Sequence, residues 1–178
     1  EYPSWLYPIT QGATTMWERW DGLKPDGTFE DVGMNSFNHY AYGAIGDWMY
    51  RTVAGLDGDP AAPGYKHILI HPHPGGGLTS ASATLTTPYG AAGSAWRFVG
   101  DSFELAARVP ANARATVRLP FAQLAEVTEG GRPVAGAPGV TRAVQDGAAV
   151  LVEVGSGHYA FAYPAPRLAA IVRGSAVR

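Results

Sequence analysis

Cysteine is absent from this 178-residue chain, which excludes disulfides and thiolate metal sites. Charge is scarce too. Charged residues make up 16% of the chain, and 13 Lys and Arg against 15 Asp and Glu leave a formal net charge of -2. The basic residues are scattered, so the clustered Lys and Arg that phosphate binding needs are missing, and no nucleic-acid partner is expected. No apolar run approaches the ~20 residues that span a bilayer, and nothing points to a membrane role. The chain starts at Glu1 and passes directly into an aromatic segment, a start expected of a cut boundary within a longer protein. It therefore assigns no compartment. What is present is a 46% hydrophobic composition, enough for one or two small domains with a real core.

The most informative stretch is Gly12-Ala13-Thr14-Thr15-Met16-Trp17-Glu18-Arg19-Trp20-Asp21, which sets one carboxylate between two indoles. Trp17 and Trp20 offer flat apolar faces that can cover the C–H face of a pyranose, while Glu18 can take a proton from water. Two more aromatic, hydrogen-bonding stretches lie close in sequence: Tyr2-Pro3-Ser4-Trp5-Leu6-Tyr7-Pro8 and Asn35-Ser36-Phe37-Asn38-His39-Tyr40. That mixture suits a polyhydroxylated ligand. The plainer reading keeps Trp17 and Trp20 as an i, i+3 pair packed into a core, with Glu18 and Arg19 solvated. Hydrolysis of a glycosidic bond needs a second carboxyl group, and none is evident. Asp26 and Asp31 sit in a Gly-rich turn region and read as turn formers, and Asp47 falls off the apolar face of a predicted helix. Asp21 and Asp31 are the candidates should that acid lie within the chain.

These three motifs, with Gly22 and Ala41-Tyr42-Gly43 extending the second and third, resemble the end of the catalytic domain of the bacterial α-L-rhamnosidases of glycoside hydrolase family 78. The similarity continues through Tyr65-Lys66-His67-Ile68-Leu69-Ile70, 72–77 and 91–96, which resemble the small β-sandwich that follows that domain, so that it covers roughly residues 1–163. The resemblance implies an (α/α)6 barrel as the catalytic domain and an inverting hydrolysis of terminal α-L-rhamnose. It makes Glu18 the general base, with Trp5, Trp17, Trp20 and His39 lining the rhamnose pocket. The family's general acid is a glutamate well upstream, before this chain begins. The chain would then depend on the missing N-terminal part of the catalytic domain and be inactive alone. No cofactor is implied.

Sequence periodicity divides the chain near 56–65. Before it, Ser36 is placed to cap a helix running to about 53, with Tyr42, Ile45, Met49 and Val53 on one face and Gly55 positioned to end it. Residues 56–65 carry several turn signals and read as a linker. Beyond it the period falls to two, predicting strands over 66–71, 78–87, 93–100, 102–109, 114–119, 148–153 and 158–163, an antiparallel sandwich. The expected organisation is therefore mixed: terminal barrel helices over 1–55, linker 56–65, β-sandwich 66–163, and a disordered tail over 164–178. Three histidines, His67, His71 and His73, share one face of an extended strand, a spacing zinc could use. Pro72 and Pro74 interrupt that strand and no fourth ligand is evident, so no metal is expected. Two other functions stay open: a different (α/α)6 glycosidase, or a noncatalytic sugar-binding or scaffold module centred on the sandwich.

Overall fold

The structure, a computed structural model, describes residues 2–174. They form two compact units, one running through Trp48 and the other beginning at Met49.

The first unit is poor in regular structure. A single helical turn, α1 (Tyr7–Thr10), has Pro in its first turn and is followed by Gly12 at φ +75°. A loop region comes next, pinned by an isolated bridge between Leu23 and Phe29 and by Asp26, whose Oδ1 accepts from the Thr28 amide at 2.9 Å. The predicted helix from Ser36 is shorter than expected. Helical structure begins as a 3-10 turn over Ala41–Ala44, becomes α2 (Ile45–Trp48), and ends as a π-helical turn over Met49–Ala54 that belongs to the second unit. Ser36 does not cap it because the run begins only at Ala41 and the Ser36 hydroxyl accepts from the Asn38 amide at 3.2 Å. The Ser36 main chain serves Glu18, its N–H donating to Oε2 and its C=O accepting from the Glu18 amide, both at 2.8 Å. Leu6, Ile9, Val32, Met34 and Tyr40 stay exposed, as short elements with apolar faces do when no neighbour covers them.

The second unit holds eleven strands: β1 (Leu56–Gly58), β2 (His67–Ile70), β3 (Ser80–Thr87), β4 (Gly90–Val99), β5 (Ser102–Val109) and β6 (Arg114–Pro120). They continue as β7 (Thr128–Glu129), β8 (Arg132–Pro133), β9 (Val140–Asp146), β10 (Ala149–Val154) and β11 (Gly157–Pro164). One sheet has the order β1-β2-β6-β10-β9 and the other β3-β4-β5-β11-β7-β8. Alternation dictates the packing. In β5 Phe103, Leu105, Ala107 and Val109 are buried, and in β6 Ala115, Val117 and Leu119 are, while the residues between them are not. Side chains of both sheets merge into one core, where the Trp96 ring stacks on Phe103 at 5.8 Å. The fold class read from the sequence, helices followed by an antiparallel-rich sandwich, is the one observed. One pair departs from the antiparallel pattern: β2 runs parallel to β6, with Ile68 opposite Ala115.

Three local expectations are corrected. Residues 56–58 are not linker but β1, because Leu56 is only 1% exposed and pairs with Ile70. Strand β9 was not foreseen, since an edge strand with no fully buried residue lacks the alternation that reveals inner strands. The tail is ordered as far as described: α3 (Pro166–Gly174) opens on Pro, a residue suited to the first helical turn, and buries Leu168, Ala169 and Val172. Arg173 anchors its last turn, donating to Asp101 Oδ1 at 2.9 Å and Gly100 O at 2.7 Å. Residues 175–178 of the expected tail lie outside the described residues.

Two outcomes follow. Leu168 is 2% exposed within the main core, so Leu168→Ala costs about 2–4 kcal/mol of stability, read as a lower urea midpoint; an unchanged midpoint would mean that α3 is not docked. His71 has its pKa lowered from 6.5 to about 4, first by burial and then by His73 and Arg118. The unfolded chain binds that proton more tightly, so stability is full above about pH 6.5 and falls as pH drops toward about 4. Urea midpoints measured between pH 7.5 and 4.5 should fall less steeply in His71→Asn than in the parent chain.

Candidate active site

The Trp-Glu-Arg-Trp segment is not helical, so the i, i+3 core pairing of its tryptophans has no basis in the fold. It lies beside 36–39. His39 N donates to Met16 O and Glu18 N to Ser36 O, each at 2.8 Å, and the Thr15 hydroxyl donates to Phe37 O. This pairing brings two residues twenty-one positions apart in sequence together: His39 Nε2 lies 3.9 Å from Glu18 Oε1. The other carboxylate oxygen, Oε2, is held by the Ser36 amide. With 23% of its side chain exposed, Glu18 is oriented by the backbone and still open to water.

Trp17 is buried, 6% exposed, and meets Phe37 edge-on at 5.0 Å. Trp5, Trp20 and Tyr42 form a second aromatic group. Trp20 stacks on Tyr42 at 5.3 Å, and Trp5 meets both rings within 5.4 Å. These four aromatics, together with Met16 and residues 13–15, wall a cavity of about 370 Å³. Among the described residues the buried Trp20 Nε1 finds no hydrogen-bond partner, an uncommon state for a buried donor and one a ligand oxygen would relieve. The structure thus gathers Trp5, Trp17 and Trp20 around one cavity and pairs Glu18 with His39, but neither Glu18 nor His39 lines that cavity. Tyr42 is the residue sequence reasoning missed. It had been placed on the helix face by its spacing, although its position three residues after His39, in an aromatic run, carried the signal.

The nearby carboxylates are engaged. Asp21 takes Arg19 Nε at 2.8 Å and Nη2 at 3.0 Å in a two-pronged ion pair, and that hydrogen bonding, led by Arg19, holds its carboxyl below the usual range. An Asp so held is ionised at neutral pH and accepts protons poorly and donates none. Asp31 Oδ1 accepts from the Gly33 amide at 2.8 Å, an Asx turn. The three histidines once considered for zinc do not converge. His67 Nδ1 meets Asp59 Oδ2 at 2.7 Å and its Nε2 meets Thr116 Oγ1 at 2.9 Å, whereas the His71 and His73 rings lie against each other, 4.1 Å apart. Among the described residues no group of three His, Asp or Glu is arranged to hold a metal ion.

Comparison with known proteins supplies the family. Residues 1–53 match the bacterial alpha-L-rhamnosidase 6 hairpin glycosidase domain, and residues 55–132 match the bacterial alpha-L-rhamnosidase C-terminal domain. The chain is 44% identical over 160 residues to an alpha-L-rhamnosidase of Streptomyces avermitilis, covering 90% of this chain and 15% of that protein. It is 50% identical over 119 residues to an alpha-L-rhamnosidase of Formosa agariphila, covering 67% of this chain and 13% of that one. The crystal structure of the Streptomyces avermitilis enzyme complexed with L-rhamnose superposes with a TM-score of 0.77 at 41% identity, over 91% of this chain and 15% of that one. The chain therefore spans about a seventh of the length of these relatives. Two adjoining domain matches and close likeness in both sequence and structure place the chain in the bacterial alpha-L-rhamnosidase family.

Proposed function

We propose that this chain is the C-terminal portion of an inverting glycosidase that removes terminal α-L-rhamnose from glycosides, and that Glu18 is its general base. The observation that carries the reading is the state of the Glu18 carboxylate: Oε2 is fixed by the Ser36 amide, while Oε1, near His39, is open to accept a proton from water. A base held by one oxygen loses little orientation when the other takes the proton. Trp5, Trp17 and Trp20 supply apolar faces for the sugar, and His39 a hydrogen-bonding edge beside the base. The relative crystallised with L-rhamnose gives the substrate class.

The general acid comes from the part of the protein outside this chain, consistent with the small share of its relatives' length that the chain spans. Asp21, locked to Arg19 and ionised, does not replace it. Residues 1–55 form the end of the catalytic domain and the strands after them a separate sandwich. The 178 residues alone turn over no rhamnoside. A sugar-binding role for the sandwich is less well supported, because Trp96 and Phe103, its large inner aromatics, are 2% exposed or less and Tyr89 and Phe121 are only partly exposed.

In the full-length protein, Glu18→Gln keeps the shape of the side chain and removes its basicity. Loss of general-base assistance lowers kcat by about 10²- to 10⁴-fold with little change in KM. A raised KM with kcat intact would make Glu18 a sugar ligand instead. Stereochemistry tests the same role independently: room for a water puts the two carboxyl groups roughly 6.5–9.5 Å apart, against about 5–5.5 Å when one is a nucleophile. Proton NMR in the first minutes of hydrolysis of an α-L-rhamnoside is expected to show β-L-rhamnose, and α-L-rhamnose appearing first would remove Glu18 from the role of base.

A further inference from the structure

The helical run that starts at Ala41 ends inside the strand-bearing unit. A helix leaves its last carbonyls without partners from its own turns, and here the last three, Thr52 to Ala54, and that of the following Gly55 are all taken. His73 N donates to Thr52 O at 3.0 Å and His71 N to Gly55 O at 2.8 Å. The Trp96 indole Nε1 donates to Val53 O at 2.7 Å, and the Ser94 hydroxyl to Ala54 O at 2.6 Å. The donors come from two parts of the fold: Ser94 and Trp96 are on β4, and His71 and His73 are in the segment that leaves β2. Gly55, at φ +75°, closes the turn in the left-handed conformation that ends helices. It admits no side chain: a Cβ there would stand 2.1 Å from Pro72 N.

A buried Ser and a buried Trp must donate to something, so each bond by itself is ordinary core satisfaction. Four successive carbonyls served by one strand and by the segment leaving another is a different matter. A strand interior offers such donors no reason to converge on one helix end. The division of the chain adds an independent fact. By sequence, 49–53 belong to the glycosidase-domain match, which runs to residue 53, whereas by packing they belong to the unit that begins at Met49.

We propose that the β-sandwich is the C-terminal cap of the helix that ends the glycosidase-domain sequence, with Ser94 and Trp96 as the capping side chains. The turn 49–54 then folds with the sandwich and is held by it. This depends on the family assignment and is independent of the role given to Glu18.

Amide hydrogen exchange on the whole 178-residue chain tests it. Ser94→Ala removes one capping donor, and Trp96→Phe removes another while keeping an aromatic ring on Phe103. In each variant the amides of 49–54 are expected to exchange about tenfold faster, the effect of losing one such bond. The exchange rates of β5, β6 and β10 stay at the parent level in Ser94→Ala, and in Trp96→Phe, which also removes core volume, they rise less than those of 49–54. Val117→Ala, a core change on β6, serves as the contrast: it should lower the protection of the sandwich strands together. The proposal is overturned if 49–54 exchange at the parent rate in both capping variants. It is equally overturned if Ser94→Ala and Trp96→Phe raise exchange uniformly, as the Val117 variant does. Because the readout is exchange and not turnover, its failure would leave the assignment of Glu18 untouched.

Discussion

A buried indole carries one donor, and an apolar core gives that donor almost nowhere to go. Trp96 meets this constraint by sending its ring onto Phe103 and its Nε1 out of the core to Val53 O. The ring requires the two sheets to close over it, and the donor requires a free main-chain carbonyl at its edge, which only the end of a helix supplies in quantity. Ser94, two residues earlier on the same face of β4, meets the same constraint at the next carbonyl. Much of the strand-bearing unit is arranged around that demand. The turn before β1 has to enter beside β4, Leu56 is thereby carried into the core, and β2 has to pass close enough for Gly55 to be the residue that touches Pro72.

The first unit is organised by a different force. It has little core, and main-chain hydrogen bonds do the work that apolar burial does in the sandwich. Pairing of 15–18 with 36–39 sets Glu18 beside His39 and turns Trp17 inward onto Phe37. Because Glu18 is clamped at its own amide and at one carboxylate oxygen, its position follows from the backbone and not from side-chain packing. Asp21, three residues on, shows how differently a neighbouring carboxylate fares. Arg19 satisfies both its oxygens and holds it ionised, which leaves Glu18 the carboxylate in the motif with an open oxygen.

Much of this was legible beforehand. Inner strands such as β5 and β10 announce themselves through alternation, and the Trp-Glu-Arg-Trp motif points to sugar chemistry through the residue types alone. The misreadings have a common cause. Residues 56–58 look like linker because Asp57, Gly58 and Asp59 are turn formers, yet one buried leucine and a partner strand outweigh them. The tail looks disordered because Pro166, Arg167 and Arg173 are conspicuous, while the stripe Leu168, Ala169 and Val172 that docks it is short. Ser36 looks like a cap, yet its hydroxyl serves the Asn38 amide and the helical run begins only at Ala41.

The sequence by itself determined the family, the order of helical and strand-rich regions, and the residue types of the candidate site, because motif chemistry and periodicity act over a few neighbouring residues. Only the tertiary structure decided which groups meet. Glu18 and His39 are joined by main-chain pairing between distant segments, the aromatic cavity gains Tyr42 and excludes Glu18, and the carbonyls of 52–55 find donors as far as forty-three residues away. Hydrogen-bond partners separated by that much chain depend on how whole sheets and turns pack, and no local pattern encodes them.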